Sequence, residues 1–432
     1  MQFIPEPYSE SSYLLDTEGA LLVWGHNDQG QLGSGDFVDA NAPQRLPLPS
    51  GVSSWFAAAA GTSCTLAIDQ TGRLFSCGNN SFWQLGLTSS GSQSNLQLVA
   101  FPPGVSRWLG VAGGNGTLLV ADTGVAYAAG DSAIVLSNAP QPYVGGLVQV
   151  SLPTAASEVM TGRSHYMVLG TNGLLYLWGY NDAGEIGLGY TSPTSVTNPT
   201  ALPFPTGVTH WLVAAPGGFH TLAVGNDSKL YAWGGNNYGQ LGLNLTNFVM
   251  ATPTQVPLPA GASSWVQLTA GEYHSAVLAD NGQIYVSGLN TSGMLDTGST
   301  TNEIQLTQVI RPAGVTNWVA VGAGRAHTLA LADDGRIYAW GNGAYGALGN
   351  GSFVNYQSQA KPVMYRLSVA ATGSAEVSLG ADVPSGNNWV IEASNDLQTW
   401  SAVSTNVVHQ ARLQSTQSAI APAEFFRLNR LH

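Results

Sequence analysis

Seven short segments built around one glycine recur along the chain at a nearly constant interval. The clearest copies read LLVWGHNDQGQLG, LLYLWGYNDAGEIG, KLYAWGGNNYGQLG and RIYAWGNGAYGALG, and three weaker copies lie between them. The anchoring glycines, separated by 49 to 55 residues, are Gly25, Gly78, Gly130, Gly179, Gly234, Gly288 and Gly341. A fixed period of this size is typical of architectures made from repeated units. The chain is therefore predicted to fold as seven copies of one small unit.

A second motif runs in phase with the first and shows what one unit contains. Its copies begin at Gly61, Gly113, Gly162, Gly217, Gly271 and Gly324. In GRAHTLALADDGRIYAWG, alternating residues flank a loop at Gly335, which predicts two antiparallel strands joined by a two-residue hairpin turn. A polar loop and a proline-bounded segment follow, and then comes a strand led by tryptophan. Each unit thus holds about four short strands, which is one blade of a β-propeller.

Together the two motifs resemble the repeat of the regulator of chromosome condensation family. That repeat pairs G-x-x-H-[ST] with W-G-x-N-x-x-G-Q-L-G, whereas WD repeats are shorter, at roughly 40 to 45 residues. The resemblance covers about residues 8–365. It is weaker in the third unit, where Gly116 and Ala129 replace His and Trp, and in the sixth, which has Ser287 and Asp296. The resemblance implies an all-β fold, a seven-bladed β-propeller.

The two ends of the repeat region predict how the ring closes. The segment YSESSYLLDTEGALLVWG aligns with the last hairpin, so the chain enters partway through a blade. We expect residues 8–25 and about 362–372 to share one blade, because closure between N- and C-terminal strands removes exposed sheet edges. The propeller is predicted for residues 1–372 and a small β-rich module for residues 373–432. This module resembles one found at the C-termini of exported bacterial proteins, with matching segments at 391–394, 396–400 and 425–428.

Charge limits the classes of partner. The chain has 13 Lys and Arg against 25 Asp and Glu, for a net charge of −12. Nucleic-acid binding needs clustered basic residues, and none cluster here, so no nucleic acid is expected. No apolar run is long enough to span a membrane. An acidic, lysine-poor composition is typical of exported bacterial proteins, so we expect an extracellular or cell-surface location, although MQFIPEPYSE lacks the pattern of a signal peptide.

Four histidines, His165, His220, His274 and His327, occupy the same position in different units. A metal ring is one interpretation. Ligand bonds are only about 2 Å long, so histidines on separate blades lie too far apart for one ion. The favoured interpretation is that each imidazole bonds neighbouring backbone and fixes its blade. The loop carboxylates are better explained by turns than by calcium, and no metal or cofactor is expected.

Cys64 and Cys77 take the His and Trp positions of the second unit, 13 residues apart. Across a two-residue hairpin these positions would face each other, and facing α-carbons can lie within about 5.5 Å, inside the disulfide range. A disulfide is one expectation, and a pair of free thiols in a reducing compartment is the other. In either case the two sulfurs are predicted to be near neighbours.

The residues between the glycine and the histidine of the second motif also bear on function. A light-sensing relative carries tryptophans there, but the pairs in this chain contain none: Thr62–Ser63, Arg163–Ser164, Gly218–Phe219, Glu272–Tyr273 and Arg325–Ala326. Photoreception is therefore not expected. The tryptophans that precede the anchoring glycines are interpreted as core.

The sequence contains no nucleophile elbow and no phosphate-binding loop. We therefore predict a secreted or surface-associated binding or scaffold protein that recognises a protein or a glycan through one loop face. The candidate interaction residues are Trp83, Ile134, Val135, Tyr180, Tyr238, Met294 and Tyr345. The alternative is a hydrolase, metal-dependent or not, that cleaves an ester, a lactone or a glycan at the mouth of the central channel. Whether the chain is an enzyme stays open, and the motifs favour binding.

Overall fold

The structure is a computed structural model. It describes residues 1–430 except 5, 131–144, 246, 364–366, 374–375, 383–387, 395–400, 408–411 and 419–424, and it describes side chains as far as Val363. The described residues form seven four-stranded antiparallel sheets, followed by two three-stranded sheets. Each four-stranded sheet is one blade, so the predicted seven-bladed propeller is confirmed.

The strands follow one another in chain order within each blade. Those of blades 1 to 4 are β1 Gln2–Phe3, β2 Ser11–Leu15, β3 Leu21–Gly25 and β4 Ala40–Arg45; β5 Trp55–Gly61, β6 Cys64–Asp69, β7 Leu74–Gly78 and β8 Gln93–Leu98; β9 Trp108–Gly113, β10 Thr117–Ala121, β11 Ala126–Ala129 and β12 Val148–Gln149; β13 Ala156–Thr161, β14 His165–Gly170, β15 Leu175–Asn181 and β16 Ser192–Ala201. Those of blades 5 to 7 are β17 Trp211–Pro216, β18 His220–Gly225, β19 Leu230–Gly235 and β20 Val249–Gln255; β21 Trp265–Ala270, β22 His274–Ala279, β23 Ile284–Gly288 and β24 Glu303–Gln308; β25 Trp318–Ala323, β26 His327–Ala332, β27 Ile337–Gly341 and β28 Gln357–Pro362.

The strands of the C-terminal sheets are β29 Leu367–Gly373, β30 Glu376–Asp382, β31 Asn388–Ser394, β32 Ser401–Val407, β33 Arg412–Ser418 and β34 Phe425–Arg430. They form two sheets, with the orders β29-β30-β33 and β32-β31-β34. One short 3₁₀ helix, Ala344–Gly346, lies in the last glycine-rich loop. No helix in the described part of the chain is long and apolar enough to cross a membrane.

The first strand of each blade lines the central channel, where a cavity of about 210 Å³ is bounded by residues of β5, β9, β13, β17 and β21 and by Gln2 and Ile4. The apolar core is divided among the interfaces between blades. At one interface the rings of Trp211 and Trp233 lie 5.9 Å apart within a cluster of buried aliphatic side chains. Each blade therefore depends on its neighbours for burial of its apolar surface.

The hairpin between the second and third strands of a blade has three loop residues, so the predicted two-residue turn is wrong. In blade 7, Leu331 lies opposite Ile337, and the N–H of Ala332 donates to the carbonyl of Arg336 at 3.0 Å. Gly335 has a φ of +75°, the left-handed conformation that a three-residue loop places before its bulge. The extra residue shifts the register by one, which brings each histidine opposite the anchoring glycine instead of the tryptophan.

The same register shift determines which residues lie opposite the two cysteines. Cys64 lies opposite Gly78 and Cys77 lies opposite Thr65. Side chains of directly opposed residues share one face of a sheet, and successive residues alternate. The two thiols therefore point to opposite faces, and both are buried and free. The predicted facing pair, and with it the disulfide, is wrong in this structure.

Neighbouring blades are joined by a recurring set of hydrogen bonds, called the blade junction below. Between blades 4 and 5, the Nε2 atom of His165 and the hydroxyl of Thr221 are 3.2 Å apart. That hydroxyl donates to the carbonyl of Glu185 at 3.2 Å, and the indole N–H of Trp233 donates to the same carbonyl at 2.8 Å. The histidine thus bonds a side chain of the next blade, which corrects the expectation that it bonds neighbouring backbone.

The junction is repeated between blades 5 and 6 and between blades 6 and 7. His220 bonds the hydroxyl of Ser275 at 2.8 Å, and His274 bonds the hydroxyl of Thr328 at 3.1 Å. Burial lowers the pKa of His220 and of His274 to about 3, and it lowers the pKa of His165 and of His327 to about 4. All four imidazoles are therefore neutral at physiological pH.

The ring closes through one more junction, between blades 7 and 1. His327 bonds the hydroxyl of Ser12 at 2.8 Å, and the carbonyl of Ala347 accepts from both Ser12 and Trp24 at 2.8 Å. The N-terminal strands therefore close against the last blade, as expected, but no blade is shared. The predicted sharing is wrong because β1 already supplies the innermost strand of blade 1. The strand β29, at the predicted boundary near residue 372, pairs instead with β30.

Candidate functional site at the channel mouth

A tight turn joins the first and second strands of each blade, and these turns surround one end of the channel, called the mouth below. In blades 2 to 7 this turn begins with the glycine of the second motif, whereas in blade 1 the longer segment 4–10 takes its place. At Gly162 a Cβ atom would lie 2.5 Å from the carbonyl of Gly217, so the turns of adjacent blades approach too closely for a side chain there. The next residues of the turn carry the side chains that surround the mouth.

Seven of these side chains form a continuous group, called the mouth cluster below. Five come from the residues between the glycine and the histidine, and two come from the corresponding turn of blade 1. The members are Tyr8, Glu10, Arg163, Phe219, Glu272, Tyr273 and Arg325. Thr62, Asn115 and Ser164 extend the group through two hydrogen bonds of 2.7 and 2.8 Å, so that every blade contributes.

Tyr8 lies between two arginines of the cluster. Its ring centroid is 4.4 Å from the guanidinium carbon of Arg163 and 4.9 Å from that of Arg325. Arg163 also lies over Phe219, at 5.3 Å. Such cation–π contacts contribute about 0.5–2 kcal/mol each. A side chain from blade 1 therefore contacts blades 4 and 7 across the mouth.

The two arginines differ in their ionic partners. Arg325 donates to Glu10 at 2.9 Å and to Glu272 at 2.8 Å, which links blades 7, 1 and 6. Such partly exposed pairs contribute at most about 1 kcal/mol each, so their main effect is to fix the positions of the three groups. Arg163 forms no ion pair among the described residues, and its Nε atom is buried without a hydrogen-bond partner there. Its positive charge is therefore available to a ligand.

Aromatic rings complete the cluster on the side of blades 5 and 6. Phe219 and Tyr273 stack with centroids 5.0 Å apart and planes 10° apart, and Tyr238 contacts Tyr273 edge-on at 5.1 Å. Burial, reinforced by the charge of Glu272, raises the pKa of Tyr273 to about 12, so its phenol stays neutral. The stack offers a rigid apolar surface with one polar tip.

Two depressions flank the cluster. One of about 500 Å³ lies beside Arg163, and its walls include Phe82, Tyr180, Asp182 and Glu185. Burial, with a smaller contribution from Asp182, raises the pKa of Glu185 to about 8, so this carboxyl is mostly protonated at pH 7. The other depression, of about 450 Å³, lies beside Arg325. Within the described residues, no group of three or more His, Cys, Asp or Glu is placed to hold a metal ion.

The predicted interaction residues lie in different environments in the structure. Tyr180 and Tyr345 are exposed, at 42% and 40%, and each lines a depression, while Tyr238 packs on the mouth cluster. Trp83 is half-buried and has a φ of +62° at a position where five of the other six blades have glycine. The prediction that Met294 is an interaction residue in an exposed loop is wrong. Met294 is 2% exposed, and its carbonyl accepts the indole N–H of Trp340 within a blade junction. Ile134 and Val135 lie outside the described residues.

The mouth cluster itself was missed by the interpretation of the sequence. The lack of tryptophan at five of these turns argued against photoreception, but it did not indicate a group of Arg, Glu and aromatic side chains. The available signal was positional: turns at one position of a closed ring must converge on one end of the channel. Charged and aromatic residues at that position therefore had to form one group.

The comparisons with known proteins agree with this architecture. A sequence model of the Regulator of chromosome condensation (RCC1) repeat matches residues 18–68, 172–224, 227–278 and 334–380. A second model of the same repeat matches residues 212–240, 265–293 and 318–347, and together the two span more than half of the chain.

Full-length relatives show the same likeness. The Ultraviolet-B receptor UVR8 of Arabidopsis thaliana is 28% identical over 384 residues, which cover 86% of this chain and 84% of the receptor. The mouse Regulator of chromosome condensation is 27% identical over 353 residues, which cover 77% of this chain and 82% of that protein. The crystal structure of yeast RCC1 (Prp20) with bound Kap60 superposes with a TM-score of 0.69 at 22% identity, over 82% of this chain and 87% of that one. The chain belongs to the regulator of chromosome condensation repeat family.

Proposed function

We propose that the protein is a binding propeller that docks a protein partner on the mouth cluster. The observation that carries this proposal is the convergence of two arginines, three aromatic rings and two carboxylates, from five blades, on one end of the channel. Arginine, tyrosine and phenylalanine are enriched at protein interfaces, and tyrosine and arginine are enriched among the residues that dominate binding energy.

The geometry of the cluster suits docking because its side chains are held before a partner arrives. Arg325 is fixed by two carboxylates, and Phe219 and Tyr273 are stacked on each other. Side chains that are already ordered lose less conformational entropy on binding. The charge of Arg163, which has no carboxylate partner among the described residues, favours an acidic group of the partner at that point.

The similarity to yeast RCC1 supports a protein as the partner class, since that protein was crystallised with Kap60 bound. A glycan is the other partner class that the sequence left open, and the stacked aromatic rings are compatible with sugar binding. An extracellular or cell-surface location remains a proposal that rests on the acidic composition. Fractionation of cells that express the full-length protein would test it.

The proposal is tested by affinity capture with matched variants. The wild type, the double variant Phe219→Ala/Tyr273→Ala and the control Phe248→Ala would each be immobilised and exposed to extract from the source organism. Phe248 is 70% exposed and lies outside the cluster. A partner retained by the wild type and by the control, and lost by the double variant, is the expected result. Identical retention by all three proteins would contradict docking on the mouth cluster.

A hydrolase remains the second candidate, and Glu185 is the observation that favours it. A carboxyl group with a pKa of about 8 beside Asp182, in a depression of about 500 Å³, has the character of a general acid. The structural role of Glu185 is met equally by glutamine. It accepts the N–H of Ala183 at 3.0 Å, as Gln240 accepts that of Tyr238 in the next blade.

The variant Glu185→Gln therefore separates the two functions. It should fold normally and retain the partner, because the backbone bond is preserved. Ester, lactone and glycoside substrates would be assayed with the wild type and with this variant. Turnover by the wild type that Glu185→Gln abolishes would establish the hydrolase and overturn the binding proposal.

A further inference from the structure

The end of the channel opposite the mouth, called the far face below, carries a ring of exposed apolar side chains. In blades 2 to 7 the first strand begins with a residue that is buried, or partly buried in the case of Trp265, and that is tryptophan in five of the six blades. The residue after it is unpaired in a β-bulge. The bulged residues are Phe56, Leu109, Ser157, Leu212, Val266 and Val319. We call them the far ring.

The bulge explains why these side chains face solvent. An extra residue in one strand has no partner across the ladder and is directed differently from its neighbours. The five apolar members of the far ring are 46% to 62% exposed, whereas the tryptophans beside four of them are at most 3% exposed. Single exposed apolar residues need no explanation, but a ring of them at one end of a channel indicates an interaction surface.

Carboxylates surround the far ring. The hairpin loop of each blade lies beside the first strand of the next, as shown by the 2.9 Å bond from the N–H of Trp318 to the carbonyl of Gly282. In blades 3, 6 and 7 the hairpin loop also bonds the segment just before the first strand of its own blade. The hairpin residues Asp122, Asp280 and Asp333 accept hydrogen bonds from Ser106, Ser263 and Thr316 respectively. Each of these hydroxyl residues lies three positions before a member of the far ring. The carboxylates are therefore held near the apolar side chains.

These three carboxylates are exposed and remain charged. The hydroxyl bonds lower their pKa, in the case of Asp280 to about 2. The ion pairs of the described residues on this face, such as Arg73 with Asp69 and Lys229 with Asp227, do not include them. The far ring is thus an apolar surface bordered by three carboxylates that form no ion pair with any described residue.

We propose that the far face docks a basic amphipathic segment of a partner protein. Its apolar side chains would cover the far ring, and its lysines or arginines would pair with Asp122, Asp280 and Asp333. Charge complementarity selects this occupant. A second copy of the chain would bring equal negative charges together, and an anionic membrane or nucleic acid would be repelled in the same way.

The probe for the test is a synthetic amphipathic helix of leucine and lysine, titrated into the full chain by calorimetry. The triple variant Leu212→Ser/Val266→Ser/Val319→Ser should bind at least about tenfold more weakly, because apolar burial is lost. The control Phe248→Ser/Phe353→Ser changes residues that are 70% and 55% exposed elsewhere and should bind like the wild type. All substitutions lie at exposed positions, and circular dichroism would confirm that each variant is folded.

Two further measurements test whether binding depends on both the carboxylates of the far face and the apolar side chains of the probe. The variant Asp280→Asn/Asp333→Asn should weaken binding and reduce its dependence on salt. A peptide of the same charge with serine in place of leucine should bind at least about tenfold more weakly than the probe. Equal affinity of the probe for the wild type and for the triple variant would overturn the proposal. Self-association of the wild type through the far ring, detected by sedimentation and lost in the triple variant, would overturn it as well.

Discussion

At the scale of single residues, the histidine of the repeat joins neighbouring blades as a neutral, buried imidazole. Each of the four imidazoles is at most 2% exposed and bonds one hydroxyl of the next blade. A protonated ring at these positions would carry a buried charge without a carboxylate partner. The same burial that makes histidine useful in the junction therefore makes the fold sensitive to acid.

This sensitivity has a definite sign. The unfolded chain takes up a proton on each histidine near pH 6.5, while the folded chain does so only near pH 3 to 4. The unfolded state binds more protons in between, so the stability from these groups is complete above about pH 6.5 and is lost as the pH falls. Buried carboxyls oppose this trend, because Glu185 and Asp296, with pKa values raised to about 8 and about 7, make stability fall as pH rises.

The variant His220→Gln isolates one imidazole from the opposing groups. Between about pH 6 and pH 4 its unfolding free energy should lose about 1.4 kcal/mol less per pH unit than that of the wild type, which is one proton. Urea denaturation across this range measures the difference. Resonances of the His220 ring that shift between pH 7 and pH 5 would contradict the assigned burial.

The cysteines give a second prediction for single side chains. Burial raises the pKa of Cys64 to about 12 and raises that of Cys77 further, so both thiols are unreactive in the folded state. A thiol reagent should label neither residue in the native protein and both in denaturant, without prior reduction. Labelling in denaturant that requires a reductant would show a disulfide and would refute the register described here.

At the scale of elements, the blade junction is the unit that repeats, and the ring closes by the same unit. Thr221→Val removes the hydroxyl at an internal junction and Ser12→Ala removes it at the closing junction. Each change leaves a buried imidazole nitrogen without a partner, which costs about 1–3 kcal/mol. Chemical denaturation should therefore show a similar loss for both variants. A neutral Ser12→Ala beside a destabilising Thr221→Val would mean that blades 7 and 1 are not joined in this way.

The sequence predicted the elements better than their register. The strand hairpins and their period follow from short patterns that recur seven times, and each copy reinforces the others. The loop ending at Gly335 is compatible with a two-residue or a three-residue turn, and a single residue moves Cys77 from facing Cys64 to facing Thr65. Ring closure was misjudged for a related reason, since the two-residue strand Gln2–Phe3 carries no motif.

At the scale of the whole molecule, the two ends of the channel differ in chemistry. The mouth carries arginines, carboxylates and stacked aromatic rings, whereas the far face carries apolar side chains bordered by carboxylates. The mouth cluster joins residues from turns that are about fifty positions apart or more in the chain. No local pattern indicates such a group, and only the closed ring brings its members together. The fold was therefore predictable in outline from the repeats alone, whereas the site also required the inference that turns at one position of a closed ring converge.

The central claim is that a partner docks on the mouth cluster. The most direct test is calorimetric titration of the captured partner with the wild type, Phe219→Ala/Tyr273→Ala and Phe248→Ala. Loss of the stacked pair should weaken binding at least about tenfold, since aromatic anchors commonly contribute about 2 kcal/mol or more. The control should match the wild type. Equal affinities for all three proteins would contradict the claim.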